Sequence, residues 1–429
     1  MDIKVNESGN IRRELSAEIS YDELIPHFNK AFIEFRKKAT HPGFRKGKMP
    51  LDMVKKLYGD SIEYSSLEDI AADIFRDYII ENNIELAGKG EIKDLNYDPK
   101  KNLKFKINFE VFPDLKVENY KNLELKQIKY KIDDSLIDEE IKYHRFRNAG
   151  FEIDGIASDD NYIITVDLQN LDESGNILIG QNQKDLKIYL GNEEIYPEFK
   201  KAFKGIKEGE VKVIDSTNAE GNAKKVQITC NKVEKIIYPE LDEKFFLKIT
   251  GKDTIKTEDE FREEIRDALS KIYNSISERK LRDDVISELV KLNDVEIPGS
   301  YIENILNTIT DNYLEQNKSK KLPANFSESE FKKEKRADAI FSGKWHLIRE
   351  KLIKMENITI EEEDYKKIAD ENASQYNIPA EKLLEVYKEN EDVKAKILND
   401  KLIDRIISYA EIEVKEELKT KVNSAEEIS

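Results

Sequence analysis

The chain has 429 residues, which exceeds the size of one hydrophobic core and therefore predicts two to four domains. Hydrophobic residues form 39% of the chain and charged residues 37%, a composition that favours a helix-rich protein with a heavily charged surface. The net charge of −17 excludes general affinity for nucleic acid or anionic lipid, so any contact with RNA has to be local.

Several kinds of chemistry lack their sequence signatures. The first residues contain no signal-peptide core, and no stretch approaches the roughly 18 apolar residues that span a bilayer, so we expect a cytoplasmic protein. The single cysteine, Cys230, cannot form an internal disulfide and lies in an alternating run that predicts an inert strand residue. The histidines, His27, His41, His144 and His346, have no metal-ligand spacing, and no phosphate-binding glycine motif is present. Neither a metal nor a nucleotide cofactor is expected.

The first 112 residues predict an α+β domain. Alternating apolar side chains predict strands over residues 3–5, 11–19 and 103–112. Apolar residues at helical spacing predict helices over Tyr21–Ala39 and Ser61–Asn82. Between these helices, residues 41–50 read HPGFRKGKMP, and their two prolines and two glycines predict an ordered turn or an exposed loop.

The middle of the chain predicts a connecting arm followed by strands. Residues 115–132 alternate, and Asp134 or Ser135 can cap a short helix, so we interpret 113–149 as a linker or arm that joins the C-terminal body. The runs YIITVDL, LKIYLG, EVKVI and VQITCNKV lie between residues 162 and 233, with turn sequences at 173–176 and 219–222. These runs predict a small antiparallel β domain over residues 150–238.

After residue 239 the pattern is almost wholly helical. Three capping boxes mark helix starts: Thr257 with Glu260, Ser327 with Glu330, and Thr359 with Glu362. The predicted helices cover residues 258–292, 298–317, 327–355, 360–376, 379–390 and 392–420, without a fixed repeat. Their apolar stripes are typical of core packing, but scattered exposed members could also line a cradle for other polypeptides.

The loop at residues 43–50 combines an aromatic side chain with cations. Phe44 stands beside Arg45 and Lys46, so the loop can offer both an apolar anchor and phosphate ligands. From Lys30 to Tyr58 the chain carries nine basic residues and two acidic ones, a local net charge of +7. The alternative interpretation is a solvated helix face followed by an ordinary glycine and proline turn.

The string GFRKGKMP resembles the ribosome-docking signature of the bacterial trigger factor family, GFRxGxxP, at every fixed position and between the same two helical stretches. The resemblance implies that Gly43, Phe44, Arg45, Lys46, Gly47 and Pro50 dock on ribosomal protein and RNA beside the exit tunnel. It also implies an ATP-independent chaperone, without a cofactor or membrane partner, that binds nascent or unfolded polypeptides. The family further suggests a homodimer when the protein is free of the ribosome.

A second segment, residues 190–210, resembles the floor of the active site in FKBP-type prolyl isomerases. The matching residues are Gly191, Pro197, Phe199, Gly205, Gly209 and Glu210. Prolyl isomerisation needs an apolar, aromatic-walled pocket that desolvates the X-Pro amide and favours its twisted state. The aromatic walls are therefore the feature that decides whether the domain is active.

Most of these aromatic walls are absent. Leu168 and Leu186 stand where the family has aromatic residues, and Tyr196 replaces the usual aliphatic residue before the proline. Ile195 and Phe199, with Tyr196 beside them, are what remains of a vestigial pocket. The flap that closes over substrate is reduced to residues 216–222. We therefore predict weak or absent peptidyl-prolyl cis-trans isomerase activity.

The sequence thus predicts a multidomain α+β protein. Its parts are an N-terminal α+β ribosome-binding domain over residues 1–112, the arm over 113–149, an inserted FKBP-like antiparallel β domain over 150–238, and a discontinuous all-α body with arms over 239–429. Two other functions remain open. One is an active FKBP-type prolyl isomerase as the main role, and the other is a ribosome-associated structural factor without chaperone activity.

Overall fold

The computed structural model describes residues 1–172, 174–217, 223–317, 326–376 and 378–419. Within these residues the chain forms thirteen α-helices and eleven β-strands, which confirms the predicted multidomain α+β class. The chain divides into two compact units: the described parts of residues 1–125 with 281–413, and those of residues 126–280 with 414–429. No helix in the described ranges is both long and apolar enough to cross a membrane.

The first unit begins with an antiparallel sheet and three helices. Their order is β1 (Asp2–Ser8), β2 (Arg12–Ser20), α1 (Tyr21–Lys38), α2 (Leu51–Ser65), α3 (Leu67–Glu81), β3 (Glu91–Asp98) and β4 (Asn102–Glu110). The strands are arranged β1-β2-β4-β3. Alternate residues of β2 and β4, such as Leu15 and Leu103, are fully buried, because a strand's period of two turns one face towards the core. A capping box of Ser20 and Glu23 begins α1.

The middle of the chain holds a second antiparallel sheet. The elements are β5 (Glu124–Ile132), α4 (Asp134–Arg147), β6 (Gly150–Ile153), β7 (Tyr162–Leu171), β8 (Ile177–Tyr189), α5 (Pro197–Phe203), β9 (Val211–Thr217) and β10 (Ala223–Ile237). The sheet order is β6-β10-β7-β8, and β9 also pairs with β10. Cys230 lies buried in β10, as predicted, beside core residues such as Val166 and Phe203.

The remainder is mostly helical. It contains α6 (Glu243–Thr250), α7 (Glu258–Leu292), α8 (Gly299–Gln316), α9 (Glu328–Glu334), α10 (Arg336–Met355), α11 (Glu362–Tyr376), α12 (Ala380–Glu389), α13 (Glu391–Ile407) and β11 (Glu411–Lys419). In the first unit, the C-terminal part of α7 packs with α10 and α13 through Val285, Ile348 and Leu402. In the second, the N-terminal part of α7 packs with α4 and α6 through Phe261, Ile137 and Phe246.

The prediction of one helix over residues 392–420 is wrong beyond residue 407. Helix α13 ends at Ile407, and residues 411–419 form strand β11, which pairs with β5. The Glu411 N–H donates to Leu123 O at 2.8 Å, and the Asp133 N–H donates to Lys419 O at 3.2 Å. The Glu- and Lys-rich sequence EIEVKEELK has good helix propensity, but the backbone groups offered by β5 decide its conformation.

Several other boundaries also differ from the predictions. Helix α2 already begins at Leu51, and the predicted Ser61–Asn82 helix is broken at Ser66, whose hydroxyl donates to Glu63 O at 3.0 Å. The predicted 327–355 helix is likewise divided at Lys335. Strand β3 was not predicted, because a bulge after Ile92 interrupts its alternation.

The three predicted capping boxes have different outcomes. In the Thr257 box, Thr257 Oγ1 accepts the Glu260 N–H and the Glu260 carboxylate accepts the Thr257 N–H, so this prediction is confirmed. Ser327 is the N-cap of α9, and its hydroxyl accepts from the Glu330 N–H. The Thr359 box is wrong, because the helix starts two residues later. There the Glu361 N–H donates to Asp364, while Glu362 pairs with Lys388.

Candidate functional site

The loop between α1 and α2 is ordered by its own backbone. The Phe44 N–H donates to His41 O at 3.1 Å and closes a tight turn. The Lys48 N–H donates to Arg45 O at 2.9 Å and closes a second turn. Because these bonds lie within ten residues, the segment is an ordered double turn that presents its tip to solvent.

Two glycines permit this path. Gly43 has φ +92° and Gly47 has φ +76°, both in the left-handed region that other residues adopt at a cost. A Cβ at position 47 would also lie 3.3 Å from Lys37 O, at the end of α1. The fixed glycines of the signature therefore correspond to backbone that needs them.

The loop is held at its base by apolar and helical contacts. Met49 is 2% exposed and belongs to the core of the N-terminal sheet and helices. Pro50 precedes α2, and its carbonyl accepts the N–H groups of Met53 and Val54, both at 3.1 Å. Proline suits this position because its fixed φ and missing N–H cost nothing at a helix start. Phe44 is half-buried against the same core.

Most basic side chains of the segment from Lys30 to Tyr58, here called the basic patch, are free to bind an anion. Lys30 pairs with Asp73 at 3.5 Å, and Lys55 donates to Asn29 Oδ1 at 2.7 Å. The other basic residues of the patch form no ion pair within the described ranges: Arg36, Lys37, Lys38, Arg45, Lys46, Lys48 and Lys56. Arg36 Nε is also buried without a hydrogen-bond partner. A cluster of uncompensated cations attracts phosphate and loses that attraction as salt rises.

The second candidate site is a cavity of about 350 Å³ on the β domain. Its lining residues are Leu168, Asn170, Gly180, Gln181, Asn182, Gln183, Phe199 and Val226. Four of these eight residues carry side-chain amides, and Phe199 is the one aromatic among them. The cavity therefore resembles a polar cleft more than the apolar pocket that stabilises a twisted X-Pro amide.

The predicted pocket residues do not all meet there. Leu168 and Phe199 line the cavity, but Leu186, Ile195 and Tyr196 do not. Ile195 packs into the core of the β domain, and Tyr196 is 71% exposed. The predicted flap at residues 216–222 falls largely outside the described residues; Ser216, which is described, donates its hydroxyl to Glu198 at 3.2 Å.

The carboxylate of Asp167, which precedes Leu168 on β7, is already hydrogen-bonded within the sheet. Its Oδ1 accepts the Asp185 N–H at 2.8 Å and the Asn231 side-chain amide at 2.9 Å. Asp185 has φ +53° where the pairing of β8 with β7 is irregular, so this carboxylate supports an irregular part of the strand. We therefore interpret Asp167 as a structural residue of the sheet.

Sequence reasoning missed two sets of residues. The cavity amides Asn170, Gln181 and Gln183 stand at alternate positions of β7 and β8, but only the strand register brings them together. The predicted turn or loop over residues 41–50 contains Met49 and His41, but neither was assigned a role, although the apolar character of Met49 indicated an anchor. Within the described ranges, no group of three or more His, Cys, Asp or Glu side chains is arranged to hold a metal ion.

Comparison with known proteins shows which family this chain belongs to. Residues 1–144 match the profile described as "Bacterial trigger factor protein (TF)", and residues 257–408 match "Bacterial trigger factor protein (TF) C-terminus". Together these matches cover more than half of the chain. They include the loop at residues 43–50, all of α8 and all of α13.

Full-length relatives agree with these matches. The trigger factor of Salinibacter ruber is 27% identical over 97% of this chain and 95% of its own length. The trigger factor of Chloroherpeton thalassium is 26% identical over 99% of this chain and 100% of its own. A solved structure titled "Promiscuous Substrate Recognition in Folding and Assembly Activities of the Trigger Factor Chaperone" shares the fold, with TM-score 0.52 and 19% identity over 95% of this chain and 99% of that one. The chain belongs to the trigger factor family.

Proposed function

We propose that this protein is a ribosome-associated molecular chaperone that binds nascent polypeptides at the exit tunnel and assists their folding without ATP. The observation that carries the proposal is the double-turn loop at residues 43–50. Its exposed cations form no ion pair with any described residue, on a chain of net charge −17. Membership of the trigger factor family supports the same role.

Docking combines one apolar and several ionic contacts. In this proposal Phe44 offers its exposed edge to a crevice of a large-subunit protein, while Arg45 and Lys46 meet phosphates of ribosomal RNA near the exit tunnel. Arginine suits this task because its planar guanidinium binds phosphate through two hydrogen bonds. The acidic remainder of the chain is repelled by RNA, so the contact stays confined to one domain.

Client binding is assigned to exposed apolar side chains of the helical body. Phe341, Ile378, Val386 and Leu292 are each more than one-third exposed on described helices or their ends. Single contacts of this kind are weak, so a client dissociates without an ATP-driven step. Docking on the ribosome supplies the high local concentration that makes such weak binding effective.

Isomerase activity is proposed to be weak or absent. The cavity presents amides where the reaction needs aromatic walls. The carboxylate of Asp167 already accepts hydrogen bonds from the Asp185 N–H and the Asn231 side chain. Phe199 in the cavity is the observation that favours the alternative, an active FKBP-type isomerase. A protease-coupled assay on a short X-Pro peptide decides between them, since FKBP-like turnover by the full chain would refute weak activity.

The proposed domains are residues 1–112 for ribosome binding, 113–149 as the arm, 150–238 as the FKBP-like domain and 239–429 as the chaperone body. Two separate cores support the first and third of these, because one uses residues 15–109 and the other residues 157–233. We also propose a cytoplasmic location and a homodimer when the protein is free of ribosomes.

Aggregation assays separate a chaperone from a structural ribosome factor. The full chain should suppress aggregation of a chemically denatured client in the absence of nucleotide, and addition of ATP should leave the suppression unchanged. A protein that pellets with ribosomes but leaves client aggregation unaltered would be a structural factor.

A further inference from the structure

We propose that His41 is a positioning residue of the docking loop, because its imidazole links the ring of Phe44 to aromatic rings carried by helices α1 and α2. The inference rests on the docking function proposed above and deepens it. It concerns a residue outside the GFRxGxxP signature, two positions before its first glycine.

Four rings form a continuous row from the helices to the loop. Phe35 of α1 lies with its ring centroid 5.2 Å from that of Tyr58 in α2. The Tyr58 centroid is 6.4 Å from that of His41, at an interplanar angle of 78°. The His41 centroid is in turn 6.3 Å from that of Phe44. These separations and tilted orientations are those at which aromatic pairs attract each other.

The imidazole is itself fixed by the backbone of the turn. His41 Nδ1 lies 2.8 Å from Pro42 O, and since a carbonyl only accepts, Nδ1 carries the proton. The carbonyl of His41 accepts the Phe44 N–H in the same turn. His41 is half-buried, so its ring lies at the surface and is partly covered by its neighbours. The residue thus holds both the turn and the ring that the turn presents.

This arrangement lowers the cost of docking. A loop that is already in its bound conformation loses less conformational entropy when it binds. Phe44 is the one apolar residue among the three proposed contacts, and an apolar contact depends on a close fit between surfaces. Arg45 and Lys46 have long, exposed side chains that can change conformation to reach a phosphate. A fixed orientation of the Phe44 ring therefore favours the apolar contact, which tolerates disorder least.

Three substitutions of His41 in the full chain distinguish the contribution of its ring contacts to ribosome binding from that of its hydrogen bond. His41→Ala removes both, His41→Phe keeps an aromatic ring, and His41→Asn keeps a side-chain N–H near the position of Nδ1. His27→Ala is the matched control, because His27 lies on α1 of the same domain and makes no ring contact or hydrogen bond within the described residues. Affinity for purified ribosomes is measured for each variant by sedimentation.

We expect His41→Ala and His41→Asn to weaken ribosome binding about fivefold, and His41→Phe to stay within about twofold of the parent. In the free protein, hydrogen exchange of the Phe44 amide should accelerate in the Ala variant while that of the Val54 amide in α2 stays unchanged. Binding of His41→Ala at parental affinity would overturn the proposal. So would retention of binding by His41→Asn together with its loss in His41→Phe.

Ribosome binding by two variants distinguishes loss of docking from loss of the positioning role of His41. If the variant with alanine at residues 44, 45 and 46 still binds ribosomes, the docking proposal itself is lost. If that triple variant fails to bind while His41→Ala binds as the parent does, docking stands and only the positioning role of His41 is refuted.

Discussion

Glu110 at the end of β4 caps the N-terminus of helix α8 through Ser300. One carboxylate oxygen accepts both the Ser300 N–H at 2.8 Å and the Ser300 hydroxyl at 2.7 Å. The N-cap residue itself, Pro298, offers no side-chain acceptor, so the cap comes from a residue far away in the chain. Gly88 permits the close approach, since a Cβ there would lie 2.4 Å from Ser300 Cβ.

Loss of this carboxylate should loosen the start of α8. We expect Glu110→Ala to raise the hydrogen-exchange rate of the Ser300 amide about tenfold, which corresponds to roughly 1.4 kcal/mol. Glu91→Ala is the control, because Glu91 is an exposed carboxylate of the same sheet that pairs only with Lys93 among the described residues. Equal exchange at Ser300 in the parent and Glu110→Ala would show that the cap contributes nothing.

The second glycine of the docking loop should be intolerant of substitution. Gly47→Ala places a Cβ at φ +76° and 3.3 Å from Lys37 O, so we expect a cost of about 1–3 kcal/mol in folding and weaker ribosome binding. Gly59→Ala is the matched control. Gly59 is helical, and a Cβ there meets nothing within 4 Å, so this change should stabilise the domain by up to about 1 kcal/mol. Similar thermal stabilities for the two variants would contradict this account.

These positions show what the sequence could and could not specify. The loop was predictable because glycine and proline act locally, and strands β1, β2 and β4 were predictable because their alternation is undisturbed, unlike that of β3. The ring row through His41 depends on two helices meeting, and the cap on α8 depends on Glu110, neither of which a local pattern contains. Strand β11 was missed for the same reason, since its partner β5 lies far earlier in the chain.

Glu356 should make the first unit sensitive to acid. Its carboxylate is 8% exposed and accepts hydrogen bonds from the hydroxyls of Tyr120 and Tyr409, with Lys121 Nζ at 3.3 Å. The Tyr120 hydrogen bond is the largest influence that lowers the pKa of Glu356 below its usual value. A lowered folded-state pKa stabilises the protein above the unfolded pKa, and this contribution is lost as pH falls through the folded value.

The expected result is a steeper loss of stability in the parent than in Glu356→Gln as pH falls from about 5 to 3. At neutral pH the variant should be less stable by about 1 kcal/mol, because a neutral amide accepts these hydrogen bonds less strongly. Urea unfolding at several pH values measures both effects. Parallel stability curves for the two proteins over this range would contradict the assigned role of Glu356.

The residues that line the cavity indicate which substitutions should raise isomerase activity. We expect the parent to turn over X-Pro peptides slowly, and the double variant Leu168→Phe with Asn182→Leu to be faster by about fivefold or more, since it replaces one amide and adds an aromatic wall. Tyr196→Phe is the control, because Tyr196 lies outside the cavity lining. Parental turnover equal to that of an FKBP-type enzyme in the same assay would refute the assignment.

The most direct test is co-sedimentation with purified ribosomes at several salt concentrations. The parent should pellet with ribosomes, and its affinity should fall steeply as salt rises from about 50 to 200 mM. The combined variant Phe44→Ala, Arg45→Ala and Lys46→Ala should remain in the supernatant. A control that removes three lysines from the same domain but outside the loop, Lys93→Ala with Lys100→Ala and Lys101→Ala, should pellet as the parent does. If the loop variant pellets equally well, the loop at residues 43–50 does not anchor this chaperone to the ribosome.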